Sequence, residues 1–432
     1  MTRMFWLLLA YWRARRLRFA TRAQLEAHQQ RRLQQFLTAL VRRSRWFSRY
    51  AQLPLAQWPV MDKTRMMMHF DAMNGAGLVL AEVMATALAA ERQRDFEPTI
   101  GAITVGLSSG TSAQRGVFAV SAREQAQWAG ILLARALPRG LFSGERVALF
   151  LRANSNLYTT VRSRWLTLEF FDLFTPFDQL QDRLVAYGPS IIVAPAQVLR
   201  ALALAALAGK LRVSPQRVIS VAEVLEAQDR ALIEQAFGQV HEIYQATEGF
   251  LGATCERGVL HLNEEYLHVA PEWLDATQRR FVPVITDFTR TTQPIVRYRL
   301  DDILTLREGT CGCGRVTLAL ESIEGRCDDL LQLPDESGAP QPVFADLLSR
   351  ALAQVLPAQA DYRLTQRGLR WLQLEAALDQ QQMTAVQQHM DQTLARLGVA
   401  TGTLRWTMLA RTPYFPLHAK RRRIVRQECA DV

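Results

Sequence analysis

The stretch ITVGLSSGTSAQRGVFAV, residues 103–120, decides how the rest of the chain is read. Residues 103–107 carry the β-branched texture of a strand. Directly after them, residues 106–116 hold three glycines and four hydroxyl side chains. Glycine lets backbone N–H groups turn inward and approach a ligand closely, and Ser and Thr add further donors, so this composition suits a loop that holds a polyphosphate. A kinase-type phosphate loop needs Gly-Lys-Ser/Thr, and the sole Gly-Lys pair, Gly209 and Lys210, is followed by Leu211. A hydrolase nucleophile elbow matches Gly106-Leu107-Ser108-Ser109-Gly110 literally, but an elbow passes straight into a helix, and here more loop and the strand-like VFAV follow. A Ser/Gly-rich surface turn remains the plain alternative.

Outward from this loop, short β-rich runs alternate with Ala/Leu-rich ones. The runs are RVALFL (146–151), SIIVAP (190–195), RVISV (217–221) and VHEIY (240–244), with helices predicted over 196–208 and 222–237. The alternation predicts an α/β fold: a large N-terminal domain whose largely parallel sheets are covered by helices. After Arg326 the order becomes strand, helix, two strands, helix, strand, which predicts a small ferredoxin-like α+β C-terminal domain. We place the domains at 1–326 and 327–432.

At 432 residues with 49% hydrophobic and 21% charged, the composition is that of a globular protein and excludes a disordered or fibrous chain. The net charge is +10, and residues 1–50 hold twelve Arg against one acid, Glu26, so the basicity belongs to one end. This argues against a surface built for nucleic acid. Residues 1–60 read as a basic helical segment. Within it Phe5, Leu8, Leu9 and Trp12 form an apolar stripe with Arg opposite. The protein's own core is the expected dock, and peripheral contact with a membrane is the competing one. The apolar run falls short of the ~20 residues that span a bilayer and leads into Arg13, Arg15 and Arg16 rather than a cleavage site. Five Cys, none before position 255, do not make a secreted disulfide framework, so a cytoplasmic location is expected.

Several motifs in order turn the phosphate-loop reading into a family resemblance. SSGTSAQRG resembles the phosphate loop of the adenylate-forming superfamily (acyl-CoA ligases, luciferases and adenylation domains), usually (S/T)-S-G-T-(S/T)-G-x-P-K-G. Tyr244-Gln245-Ala246-Thr247-Glu248 is similar to Y-G-x-(S/T)-E, and Arg297-Tyr298-Arg299-Leu300-Asp301-Asp302 to R-Y-R-T-G-D. Gly325-Arg326-Cys327-Asp328-Asp329 is similar to G-R-x-D-D, and the tail around Lys420 to the closing G-K-x-x-R element. The wording points to the phenylacetate-CoA ligase-like branch, near relatives of the deazaflavin-cofactor adenylyl synthetases. Departures fall at Gln245, Asp301 and Ala419, where the family has Gly, and at Ala113 and Arg115 in the loop.

The resemblance implies that ATP and Mg²⁺ activate a carboxylic acid, aromatic or otherwise apolar, to an acyl-adenylate, which then passes to the thiol of CoA or a carrier protein. Ser108, Ser109, Gly110, Thr111, Ser112, Arg115 and Gly116 would hold the β- and γ-phosphates. Thr247 would touch the α-phosphate, Tyr244 stack near the adenine, Asp302 accept from the ribose hydroxyls and Glu248 hold Mg²⁺. Arg326 belongs to the catalytic hinge motif, and a mobile C-terminal domain would bring Lys420 into the cleft. The chemistry asks for such groups, because joining a carboxylate to a phosphate means offsetting the repulsion of two anions. Two other outcomes stay open: transfer of AMP to a hydroxyl of a cofactor, and a membrane-associated nucleotide-binding scaffold with little turnover.

Lysine usage makes a separate point. Of 51 basic residues only Lys63, Lys210 and Lys420 are Lys. A compact ammonium suits a tight site that presents one oxygen, where a planar guanidinium is bulkier. Lys420 therefore reads as the bridge between carboxylate and phosphate, against the alternative of one more charge in a solvated basic run. Lys63 has no role on this reading. Last, Cys255, His261, Cys311 and Cys313 offer three thiolates and one imidazole, the ligand count and softness of a structural Zn²⁺ site. Small buried hydrophobes are the alternative for these cysteines, and Cys327 and Cys429 have no ligand role.

Overall fold

The computed structural model describes residues 2–95, 97–108, 116–151, 165–326 and 330–427. Strands Leu166–Asp172, Glu145–Leu151, Ile191–Pro195, Arg217–Val221 and Val240–Ala246 lie side by side in that order and run parallel. Helices Phe177–Tyr187, Ala196–Leu207 and Ala227–Phe237 cover one face, where Ala148, Phe150, Ile192 and Val218 are fully buried. The last of these helices starts at Ala227 rather than 222. Ala222 takes a left-handed φ of 65°, which a helix cannot continue through.

Beyond Val240–Ala246 the sheet changes sense. Only Thr247 and Glu248 separate that strand from Gly249–Thr254, too few residues for a crossover, so the pairing is antiparallel. It continues antiparallel through Leu260–Leu262, Ala319–Arg326, Asp302–Leu306, Arg280–Asp287 and Leu267–Trp273. Phe36 and Leu40 of helix Arg22–Arg43 join Phe47 and Trp58 in the core beneath this half. The α/β class expected from the alternation is present, with this antiparallel extension added to it.

Strand Ile103–Leu107 lies apart from the parallel strands, in a three-stranded antiparallel sheet with Thr99–Ile100 and Val117–Ser121. Leu107 pairs with Val117, so the strands on either side of the glycine-rich segment form an antiparallel pair, and the next described element after Ser108 is a strand and not a helix. The elbow reading fails on that geometry. Helix Ala122–Ala136 follows Val117–Ser121, its first turn fixed by a capping box between Ser121 and Glu124. It covers the second face of the parallel strands.

Helix Arg3–Arg16 docks on helix Ala122–Ala136, but through Leu7, Ala10, Tyr11 and Ala14 rather than the expected stripe; Phe5 and Trp12 are 44% and 45% exposed. The cause is close approach of the two backbones. A Cβ at Gly130 would lie 2.3 Å from Leu7 O and 2.8 Å from Ala10 Cβ, so the turn of the first helix that carries Leu7 and Ala10 seats directly on Gly130 and turns Phe5 and Trp12 outward. Among the described residues no helix is long and apolar enough to cross a membrane.

Residues from Leu331 onward form their own hydrophobic core, with helices Ala345–Val355 and Gln380–Arg396 against a four-stranded sheet. The small α+β unit is present, with a corrected strand order. Leu330–Pro334 pairs with Pro340–Phe344 in a separate hairpin, because the five residues between them reverse the chain at once. Ile424–Arg426 takes the fourth place, parallel to Tyr362–Gly368. The tail that carries Lys420 is thus tied to this sheet.

Candidate active site

Tyr244 near the end of strand Val240–Ala246, with Thr247 and Glu248 in the turn after it, lies at the carboxyl ends of the parallel strands, where open α/β sheets bind ligands. A cleft of about 680 Å³ opens there, its mouth lined by Ser108, Tyr244, Thr247, Glu248, Asp302 and Lys420. These six expected residues are brought together. Gly116 lies beside Ser108 and closes the neck of the loop: Ser108 N donates to Gly116 O at 2.8 Å and Gly116 N to Ser108 Oγ at 3.0 Å. Ser109, Gly110, Thr111, Ser112 and Arg115 lie outside the described residues, as do the side chain of Arg326 and Cys327, Asp328, Asp329 and Cys429. The backbone of Arg326 pairs with Asp302.

Two contacts organise the mouth. The Tyr244 hydroxyl donates to Asp302 Oδ2 at 2.6 Å. Tyr298 hydrogen-bonds Glu248, whose carboxyl burial pushes above the usual carboxylate range; Asp302 adds to that push, while Tyr298 and Arg290 oppose it. Two carboxylates that disfavour each other's charge beside a cleft suit a hard divalent cation, which prefers oxygen ligands. Gln245, Asp301 and Ala419 all keep negative φ, so none needs the conformational freedom of the family's Gly.

Lys420 is fixed from the large domain. Gln197 Nε2 donates to Leu417 O at 2.8 Å and Ala419 O at 2.6 Å. Just beyond, buried Asp229 accepts from Arg423 Nη2 at 2.9 Å and Arg200 Nη1 at 3.0 Å, and also pairs with Arg421. Arg423 Nη1 reaches Glu226 Oε2 at 2.7 Å, and its Nε reaches Asp361 Oδ1 at 2.8 Å. Burial alone would push Asp229 up, but Arg423, Arg421 and Arg200 outweigh it and hold the carboxyl below its usual value.

Two cations at the site went unassigned from sequence. Lys63 lines the same cleft, so two of the three lysines converge there. A long-range link places it: Met61 bridges Tyr298, with Met61 N donating to Arg297 O at 2.8 Å, and Asp62 then caps helix Lys63–Met68. The side chain reaches Gly116, where a Cβ would meet Lys63 Cγ at 3.4 Å. The rarity of Lys was the available signal. Arg290 donates from Nη1 to Thr247 O at 3.2 Å, and its buried Nε and Nη2 have no partner among the described residues. One Arg among so many carries no signal in sequence.

Behind the mouth the cleft turns apolar, between helix Ala122–Ala136 and the parallel strands, with Trp128, Leu132, Leu149, Leu168 and Val193 on its walls. Gln125 Nε2 and the Tyr266 hydroxyl also line it, buried and without partners among the described residues.

Away from the cleft, the ligand atoms of Cys255, His261, Cys311 and Cys313 all lie within 4.8 Å of one another. Cys255 Sγ is 3.7 Å from Cys311 Sγ, and Cys313 Sγ is 3.5 Å from His261 Nε2. His261 Nδ1 lies 3.2 Å from Thr317 O, which fixes the tautomer that leaves Nε2 facing the thiols.

No protein-family model matches the chain. A phenylacetate-coenzyme A ligase of Thermus thermophilus is 32% identical over 109 residues, a match that spans 24% of each chain. Among solved structures, 2-hydroxyisobutyryl-CoA ligase in its postadenylation state with 2-HIB-AMP matches with a TM-score of 0.71 at 17% identity, covering 97% of this chain and 92% of that one. The same ligase in its thioesterification state, with 2-HIB-AMP and CoA, matches with a TM-score of 0.54 at 18% identity, covering 96% and 92%.

Proposed function

For a chain that has the fold of the adenylate-forming superfamily, we propose the activity of an acid–thiol ligase: it uses ATP to activate a carboxylic acid as an acyl-adenylate and passes the acyl group to a thiol, that of CoA or a carrier protein. The observation that carries this is the meeting of Ser108, Tyr244, Glu248, Asp302, Lys63 and Lys420 at the mouth of an apolar cleft. In the first step a carboxylate oxygen attacks the α-phosphorus and the bond to pyrophosphate breaks; in the second the thiol sulfur attacks the acyl carbon, loses its proton, and AMP leaves. Lys420, which lines the cleft, would offset the charge of both anions in the first step. The neck of the loop, with Lys63 and Arg290, would hold the polyphosphate, and Asp302, aligned by Tyr244, would accept from the ribose.

Mg²⁺ held by Glu248 would neutralise charge on the polyphosphate. The higher TM-score to the relative's postadenylation state supports an arrangement in which the C-terminal domain, from 327, sits in the pose for adenylation. The Cys255, His261, Cys311 and Cys313 cluster would hold a structural Zn²⁺, and its separate thiols fit a reducing, cytoplasmic setting. Negative φ at Gln245, Asp301 and Ala419 means that these three departures from Gly carry no backbone strain, which supports an enzyme over a scaffold without turnover. The test is pyrophosphate release that needs both ATP and a carboxylic acid. Release at the same rate with and without every acid tried would reject the reading.

A further inference from the structure

We infer that the cleft takes a carboxylic acid with an extended aliphatic chain, laid along the parallel strands beneath helix Ala122–Ala136; this rests on the adenylation reading above. Protein interiors are close-packed, with few voids larger than a water molecule. The two faces of the parallel sheet differ in this respect. On one, Ala148 and Phe150 pack against helices. On the other, the alternate residues Val147, Leu149 and Leu151 line the inner cleft, and so do Ile191 and Val193 on the next strand, with Val147 and Ile191 also packed into the core beneath the helix. The cleft of about 680 Å³ runs from the mouth onto this face and not the other, and an extension continuous with the site is ligand space, not a packing fault.

Its length decides the class of ligand. Lining residues on Glu145–Leu151 run from Leu151 at the mouth to Val147, and four steps of ~3.3 Å make about 13 Å. The opposite wall is of similar length: on helix Ala122–Ala136 they run from Glu124 to Ala136, and twelve steps of ~1.5 Å make about 18 Å. The inner end is at one level across three strands, since Val147 pairs with both Leu168 and Ile191. With Ala136 and Leu149 these walls are aliphatic. A compact aromatic acid whose carboxylate meets Lys420 would fill the outer part alone and leave apolar walls facing empty space, forfeiting their contacts. A straight chain fills the length.

The test measures acid-dependent pyrophosphate release by the full chain with straight-chain acids from butanoate to hexadecanoate, beside benzoate and phenylacetate. The expected kcat/KM rises about threefold to fourfold per added methylene until the channel is full, and the best straight-chain acid exceeds both aromatic acids. Ala136→Phe should move the optimum to shorter acids, and Leu149→Phe, entering from the sheet side, should do the same; circular dichroism confirms that the variant scored is folded. A flat series, a preference for the aromatic acids, or an optimum unmoved in a folded variant overturns the inference while leaving adenylation standing. Calorimetric binding of long acids without pyrophosphate release upholds the channel and rejects the adenylation reading. Absence of both binding and release rejects the channel too.

Discussion

The hydroxyl of Tyr244 donates to Asp302 Oδ2 at 2.6 Å, joining the last parallel strand to an antiparallel strand of the same sheet across the mouth of the cleft. The bond occupies one carboxylate oxygen and holds the other in a fixed direction, which suits an acceptor for a sugar diol. Asp302→Ala should therefore weaken binding of ATP, ADP and AMP alike, by about 1.5–3 kcal/mol as for a hydrogen bond to a charged group. Tyr244→Phe should cost less, because the acceptor remains. Calorimetry with the three nucleotides checks this, and equal affinity in Asp302→Ala would remove the ribose assignment.

Lys420 and Lys63 approach the cleft from different parts of the chain and should be separable by half-reaction. Lys420→Ala is expected to slow acyl-adenylate formation by about 10²- to 10³-fold, the usual loss for one preorganised electrostatic group. Thioester formation from a supplied acyl-adenylate should change far less. Lys63→Ala should raise the KM for ATP and leave binding of AMP alone, since Lys63 sits beside Gly116, at the neck of the loop proposed to hold the polyphosphate. Stopped-flow pyrophosphate release and a supplied-adenylate assay distinguish the two.

Legibility from sequence tracks how local each feature is. Strands such as Ile191–Pro195 and helix Ala196–Leu207 were readable because continuous apolar runs and Ala/Leu periodicity are local signals. The face of helix Arg3–Arg16 was not, because Gly130, more than a hundred residues away, decides that Leu7 and Ala10 make the contact. Lys420, Glu248 and Asp302 were found by motif and are brought together in the cleft. Lys63 was missed because the Met61 to Tyr298 bridge that places it is long-range, and Arg290 because its unsatisfied donors exist only in the folded chain.

The cluster around Asp229 fastens the C-terminal unit to helix Ala227–Phe237. Removing one side of a buried ion pair leaves the other charges uncompensated, at a cost of about 3–5 kcal/mol. Asp229→Asn takes the carboxylate from Arg200 and leaves Arg423 and Arg421 only Glu226 and Asp361, and it should lower the urea midpoint by a corresponding amount. It should also depress adenylation more than the supplied-adenylate step, since Arg421 and Arg423 flank the segment that presents Lys420. Equal losses in both steps would point to general destabilisation.

His241 supplies a pH dependence with a definite sign. Burial, reinforced by Arg217 and Arg230, lowers its imidazole to about 4, and Nδ1 lies 3.1 Å from Thr254 Oγ1. An unfolded His titrates near ~6.5. Its contribution is therefore complete above about 6.5 and is lost as pH falls from there toward 4, because the unfolded chain takes up the proton first. His241→Asn should flatten the fall of unfolding free energy across that window. Urea titrations at several pH values measure it, and an unchanged slope would clear His241 of the effect.

The Cys255, His261, Cys311 and Cys313 cluster makes the last prediction. A Zn²⁺ with Zn–S of ~2.3 Å and Zn–N of ~2.0–2.1 Å in a tetrahedron sets sulfur atoms about 3.8 Å apart and sulfur about 3.6 Å from nitrogen. The observed 3.7 Å from Cys255 to Cys311 and 3.5 Å from Cys313 to His261 match those edges. Such a site would pin the Gly249–Thr254 hairpin and the segment just after it to the loop at 311–313, bracing the sheet behind Glu248 from outside the cleft. Elemental analysis should give about one zinc per chain. Chelation, or Cys311→Ser, should lower the thermal midpoint before it alters kcat/KM, because metal-binding free energy adds to folding. Substantially less than one zinc per chain, with an unshifted midpoint in Cys311→Ser, would leave the cluster as buried thiols.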